Sequence, residues 1–239
     1  MKNFKVVLGT IFSVSLIIVL MFTSIQFVAY WIPDYYRNEY TKYGVYETVK
    51  TEPDEMDRVT EEMMDYLIGK REKLSDITAT VDGVENTYFF NERECAHMDD
   101  VRSLFLGGMK LRTICIVVCI VILIVLIFMA RKNSKGGSYD VLHPLAKGMI
   151  IGTGVFTVIV GALAVMFSQN FNKYFTIFHE IFFDNDLWLL DPRTDRLVCI
   201  VPEGFFMDTV KNIIIVFAAT LIILLVLSII YEAKHKKDN

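Results

Sequence analysis

The amino-acid sequence predicts an all-α membrane protein: a bundle of four transmembrane helices whose two extracytoplasmic loops carry short helices and leave room for a small hairpin. Three observations predict it. Of 239 residues, 54% are hydrophobic and the mean hydropathy is +0.43, above the roughly 45–50% apolar usage of a soluble globular domain. Four stretches, about 6–32, 111–130, 149–167 and 213–231, are apolar over a length near the roughly 20 helical residues that cross a hydrocarbon core about 30 Å thick. The charges, finally, are sorted along the chain: the ends of the spans alternate between basic and acidic sides. The whole of 1–239 reads as a single membrane domain, with extracytoplasmic loops at 33–110 and 168–211.

The first stretch follows Lys2 and Lys5, as a signal peptide would. It is far longer than the roughly 7–15 residues of a secretory apolar region and ends in Trp31-Ile32-Pro33 without a small-x-small cleavage site, so it reads as a retained anchor. Tyr30 and Trp31 stand where an interfacial aromatic belt places such residues. Beyond Pro33, Tyr35, Tyr36, Tyr40, Tyr43 and Tyr46 mixed with charges read as a connector hugging the membrane interface.

Pro53 with Asp54, Glu55 and Asp57 opens a helix, because acids in the first turn favour the macrodipole. Val59, Met63, Tyr66, Leu67 and Lys70 follow at helical spacing, which predicts an amphipathic helix over 54–74. Asp82-Gly83 lies between short apolar runs and offers a hairpin turn. Asn91 with Glu94 three residues on resembles a capping box for a helix over 92–106, ended by Gly107-Gly108 before the second span.

Gly148 and Gly152 form a GxxxG pair at the start of the third span, suited to close helix packing. In the second loop Phe171, Tyr174, Phe175, Phe178, Ile181 and Phe182 make an aromatic stripe at helical spacing, expected in the interface plane. Asp191-Pro192 marks a turn, and Pro202-Glu203-Gly204 precedes the fourth span.

Lys2, Lys5, Arg131, Lys132, Lys135, Lys147, Lys234, Lys236 and Lys237 all fall on one side of the spans. The positive-inside rule then puts both termini in the cytoplasm of a multi-pass plasma-membrane protein. The first outer loop has 18 acidic against 10 basic residues, the second 7 against 4. Acidic outer loops argue against a nucleic-acid partner and put any chemistry at the outer leaflet.

Four cysteines make no disulfide framework. Cys115 and Cys119 read as packing residues inside the second span, while Cys95 and Cys199, one in each outer loop, leave a disulfide between loops open. Of four histidines, His143 and His235 on the cytoplasmic side read as solvated or in contact with lipid headgroups. His97 and His179 fall one in each outer loop among acids and aromatics. Arg93, His97 and Asp100 are spaced to share a helix face, with Glu94 one turn before the histidine. In the other loop, His179-Glu180 is followed by Asp184, Asn185, Asp186 and Trp188. These residues suit two kinds of site: a His₂-carboxylate metal set, though without HExxH spacing, or metal-free acyl transfer with one imidazole as base and the other as acid or oxyanion partner. No serine or cysteine elbow indicates an acyl-enzyme.

The run from Phe90 to Val101, Phe-Asn-Glu-Arg-Glu-Cys-Ala-His-Met-Asp-Asp-Val, and the run from Phe178 to Pro192, Phe-His-Glu-Ile-Phe-Phe-Asp-Asn-Asp-Leu-Trp-Leu-Leu-Asp-Pro, closely resemble the bacterial lipoprotein intramolecular transacylase family. The resemblance extends to the span count, the large first outer loop and the continuation through Arg193-Thr194-Asp195 to Pro202-Glu203. It implies an acyltransferase that moves the sn-2 acyl chain of a lipoprotein's diacylglyceryl-cysteine to that cysteine's α-amino group, giving a lyso-form N-acylated lipoprotein. By the same resemblance His97 and His179 are the catalytic pair, with His97 taken as base and His179 as acid or oxyanion partner and the two roles exchangeable, and Arg93, Glu94, Asp100, Asn185, Asp186 and Trp188 orient or bind substrate, with neither cofactor nor metal. The partners implied are diacylated bacterial lipoproteins and membrane lipid. Two other readings of the same residues are a zinc-dependent membrane hydrolase built on the two histidines and a non-enzymatic membrane partner protein that uses its acidic loop.

Overall fold

The computed structural model describes residues 2–133, 140–169 and 171–237. Lys135 of the charge count above lies outside them, as does the side chain of Phe171 from the aromatic stripe. In chain order the elements are α1 (Lys2–Gln26), continued by a π-helical turn Phe27–Trp31, α2 (Tyr35–Tyr43), α3 (Val45–Val49), α4 (Pro53–Leu67), β1 (Thr78–Val81), β2 (Val84–Tyr88), α5 (Glu92–Asn133), α6 (Leu142–Gln169), α7 (Phe171–Phe182), α8 (Arg196–Ile200) and α9 (Glu203–His235). Four helical segments are long and apolar enough to cross a membrane: Asn3–Trp31, Glu92–Arg131, Leu142–Ala162 and Glu203–His235. Internal contacts divide the chain into two compact units, one of residues 1–26, 110–171 and 213–239, the other of 27–109 and 172–212.

The first unit is the membrane bundle. Without a hydrophobic drive between helices in lipid, small residues that let backbones approach decide which helices pair. Here a Cβ added at Gly9 of α1 would collide with the Pro144 carbonyl, one at Gly148 with the Gly9 backbone, and one at Gly152 with the Ser13 hydroxyl. The GxxxG pair thus does the packing expected of it, against a third glycine on α1. Ile17, Met149 and Leu221 meet at the centre, with Phe156, Phe217 and Leu224 around them. Large apolar side chains such as Ile124, Phe128, Val158 and Ile222 are exposed on the outside, as lipid-facing residues are.

The second unit is built around the tyrosine connector. Tyr35 and Tyr40 are buried, and Tyr35, Tyr36 and Tyr40 surround Phe205 with ring centroids 5.7–6.1 Å away. A tyrosine can be buried this way when its hydroxyl finds a partner: Tyr40 pairs with Thr60 Oγ1 at 2.8 Å and Tyr35 with Thr209 Oγ1 at 2.7 Å. Gly204 lets α9 begin here, since a Cβ would strike the Tyr43 ring.

α4 starts with Pro53 at its first turn as expected, and buries Met56, Val59, Met63 and Tyr66. It ends at Leu67 rather than at 74 because Gly69 takes a left-handed φ of 82° and turns the chain. The hairpin forms: Asp82 and Gly83, with φ of 53° and 77°, make the turn between antiparallel β1 and β2. The capping box forms too, with Asn91 N–H donating to Glu94 Oε2 at 2.7 Å and Glu94 N–H donating to Asn91 Oδ1 at 2.9 Å.

The helix that this box opens does not stop at Gly107-Gly108 but runs to Asn133. Two interior glycines cost about 2 kcal/mol relative to alanine. The apolar stretch that follows must satisfy its backbone internally in lipid, and extending an existing helix does so without a new start. All four cysteines are free, so the disulfide left open between Cys95 and Cys199 is not formed. Cys199 Sγ instead contacts the Pro192 and Asp195 carbonyls at 3.4 and 3.5 Å.

Candidate active site

His97, His179, Arg93, Glu94, Asp100, Asn185, Asp186 and Trp188 all lie in the second unit. At 42 residues α5 is about twice the roughly 20 that a bilayer core takes, and His97 sits in its second turn. His179 sits near the end of α7. Their ring centroids are 6.2 Å apart with the planes tilted by 35°. Both rings are buried, at 8% and 7% exposure, in an aromatic enclosure. Phe183 lies 5.6 Å from each of them, Phe175 is 4.2 Å from His179, and Trp188 is 4.8 Å from it.

The two imidazoles are held differently. His179 Nδ1 is 2.8 Å from the carbonyl oxygen of Phe175, one turn back on α7. A carbonyl only accepts, so Nδ1 carries the proton and the neutral ring offers its lone pair at Nε2. His97 Nδ1 is buried and has no hydrogen-bond partner among the described residues. Burial first, then the adjacent His179 ring, hold the His97 imidazole below its ordinary pKa; Asp100 acts the other way and Arg93 adds to the lowering. His97 is therefore a neutral ring near pH 7.

Arg93 and Asp100 do share the His97 face, and each takes hold of the turn after α7. The Arg93 guanidinium donates to the Asp186 carbonyl oxygen and lies 3.3 Å from its carboxylate, while Asp100 Oδ2 accepts from Asn185 Nδ2 at 2.8 Å. Trp188 Nε1 donates to the Asn185 carbonyl at 2.9 Å, which lays the indole beside His179. Five of the six supporting residues thus form one clamp that fixes the turn against α5.

Glu94 faces elsewhere. It is 1% exposed, and besides the Asn91 N–H it accepts the Leu197 N–H at the start of α8 at 2.5 Å. Burial raises its carboxyl pKa, against the lowering effect of those two N–H groups. Asp195 completes the junction by accepting from Asn91 Nδ2 at 2.8 Å and from Asp191 N–H at 2.7 Å. Sequence reasoning missed Asp195, Phe175 and Phe183 as parts of the site. Of these only Phe175, four residues before His179, had a readable signal.

Among the described residues, the metal-ligating side chains that gather in a group of three are Asp140, His143 and His235, in the other unit. His143 and His235, expected to be solvated or in contact with lipid headgroups, are half-buried and paired with Glu232 and Asp140.

The model of a family described as "Lipoprotein intramolecular transacylase Lit" matches residues 10–206. The chain belongs to the Lit family. It is an integral membrane acyltransferase, a lipoprotein intramolecular transacylase, as the resemblance implied. No curated protein sequence matches it. Solved structures of Lit from Bacillus cereus superpose on it: one with a TM-score of 0.71 at 21% identity, covering 100% of both chains, and one carrying a histidine-to-arginine substitution with 0.72 at 20%, covering 100% of this chain and 96% of that one. A third, with histidine replaced by alanine, gives 0.71 at 21% and covers 97% of that chain. At such identity these relatives speak for the Lit fold.

Proposed function

We propose that this chain transfers the sn-2 acyl chain of a diacylglyceryl-cysteine to the α-amino group of the same cysteine, with His97 and His179 doing the proton work at the outer leaflet and both termini in the cytoplasm. One observation carries the reading: two buried histidines, far apart in sequence, meet inside one aromatic enclosure with one ring held in a single tautomer.

The amine nitrogen attacks the ester carbonyl and a C–N bond forms. Its proton passes to the Nε2 lone pair of His179. The sn-2 C–O bond then breaks and His179 returns the proton to the leaving glyceryl oxygen, leaving an amide and a free hydroxyl. His97, kept neutral, donates an N–H toward the tetrahedral oxyanion, a role a neutral imidazole fills well. Reading the sequence alone favoured His97 as base, with exchange left open; the bond from His179 to Phe175 favours the exchange.

Because amine and ester belong to one molecule, most of the work is holding them in place, where proximity contributes roughly 7–11 kcal/mol. An α-amine with a pKa near 8 is mostly protonated at pH 7 and first releases that proton to solvent; the neutral amine then attacks, and the proton made acidic as the C–N bond forms is the one His179 takes. Exposed Phe178, Ile181 and Phe182 on α7 supply an apolar face by which acyl chains would approach from lipid.

The test is expression with a diacylated lipoprotein and mass spectrometry of its N-terminal lipopeptide. The expected product keeps the total mass and yields a fragment with an N-acylated cysteine and a mono-acylated glycerol. Unchanged acyl placement, or full conversion by His179→Ala, overturns the reading.

A further inference from the structure

We infer that Asp140, His143 and His235 form a binding site for a first-row divalent cation of the zinc type, joining the start of α6 to the end of α9. This site lies wholly within the membrane unit and is independent of the chemistry at His97 and His179.

Local structure brings the groups together. Asp140 precedes α6, and its Oδ1 accepts the His143 N–H at 2.9 Å and the Tyr231 hydroxyl at 2.8 Å. With Oδ1 doubly engaged, Oδ2 lies 3.4 Å from His235 Nε2. Tyr231 and His235 are four residues apart on α9 and so share a face. On the same end of α9, Glu232 Oε1 is 2.7 Å from His143 Nδ1. The two imidazoles stack, centroids 4.6 Å apart at 28°.

The donor atoms of Asp140, His143 and His235 all lie within 4.8 Å of one another. A tetrahedral zinc with bonds of about 2.0–2.2 Å holds its donors roughly 3.4 Å apart. The Asp140–His235 pair is already at that separation, and the remaining donors close by side-chain rotation.

Glu232 supplies the second shell. A carboxylate on one nitrogen of a histidine turns the other nitrogen to the metal, the arrangement that orients most metal-bound imidazoles. For His143 the Nδ1–Glu232 bond leaves Nε2 as the ligand. Two imidazoles and one carboxylate are a borderline donor set that suits zinc over magnesium or calcium, whose sites are built from oxygen.

The full-length protein in detergent, stripped with a chelator, is titrated with zinc chloride by calorimetry, and with cobalt(II) by visible absorption. The expected result is saturation at a single metal per chain, with the intense d–d bands of a four-coordinate cobalt site. His143→Ala and His235→Ala each weaken zinc binding about 100-fold or more, and Glu232→Gln about 10–100-fold. His97→Ala retains full binding.

A gain-of-signal variant guards against misfolded alanine variants: His143→Cys should add a thiolate-to-cobalt charge-transfer band in the near ultraviolet. The inference is overturned if the wild-type chain takes up no stoichiometric metal, if the His143→Ala/His235→Ala double variant binds as well as wild type, or if His143→Cys binds cobalt without that band. Loss of the metal in His97→Ala, with binding kept in the double variant, would overturn it too and assign the metal to the other histidine pair.

Discussion

His97 and His179 face one another at 6.2 Å inside a wall of Phe175, Phe183 and Trp188, whereas His143 and His235 stack at 4.6 Å with Asp140 and Glu232 against their edges. The residue type is the same and the surroundings are opposite. Aromatic walls exclude water and offer few hydrogen-bond partners, so His97 is held neutral with one ring nitrogen unpartnered among the described residues, ready for a group that arrives with substrate. Carboxylate walls fix ring orientation and bring the donor atoms of Asp140, His143 and His235 within 4.8 Å of one another, which suits a resident cation. Burial without partners makes a site for passing protons, and partial burial with partners makes a site for holding something.

The largest expected effect separates the pairs by what each loses. Removing a positioned acid or base costs about 10²–10⁴ in rate, so His97→Ala and His179→Ala should each lower the rate of lipopeptide conversion by that range while zinc capacity stays intact. Equal loss of metal and activity in one of these variants would erase the contrast.

Next comes Glu94, placed by sequence resemblance among the residues that orient substrate. Its bonds run to Asn91 N–H and Leu197 N–H, so its expected role is to weld the start of α5 to α8 behind the reacting groups. Glu94→Gln leaves one of those buried N–H groups facing an amide nitrogen, a loss of about 1–3 kcal/mol. The measurement is thermal unfolding alongside kcat and KM. A falling Tm with kcat retained in the surviving fraction fits the weld; a lost kcat with unchanged Tm would return Glu94 to the substrate.

Much of this architecture was legible in the sequence because lipid and turn chemistry are strict. A spanning helix must be apolar for its whole length, Asp82-Gly83 takes the left-handed angles that a tight hairpin demands, and Asn91 with Glu94 cap each other within four residues. The Arg93, His97, Asp100 face was likewise readable from helical spacing. What that face grips was not, since Asn185 and Asp186 reach it through the turn after α7. Tyr40 escaped for a similar reason: whether a tyrosine is buried depends on a distant Thr60 and Phe205. Gly107-Gly108 looked like a helix end because propensity is local, while the demand to continue came from the apolar stretch beyond it. The second histidine pair stayed hidden because Asp140 and Glu232 belong to helix ends that only packing brings together.

The smallest effect tests the electrostatics that set the two pairs apart. Asp100 is the charge that raises the His97 pKa, against burial and the His179 ring that lower it. The shift is read on the His97 ring itself, by NMR titration of its imidazole, which should titrate below the ordinary histidine value of about 6.5. Asp100→Asn removes the raising charge while keeping an oxygen to accept from Asn185 Nδ2. His97 then holds a proton less readily, and its titration should move to still lower pH with the plateau rate little changed. A titration that moves upward would mean that Asp100 acts on His97 by some route other than its charge. A collapsed plateau would mean that the Asn185 contact needs a carboxylate, and that the clamp on the turn matters more to the rate than the field at the ring.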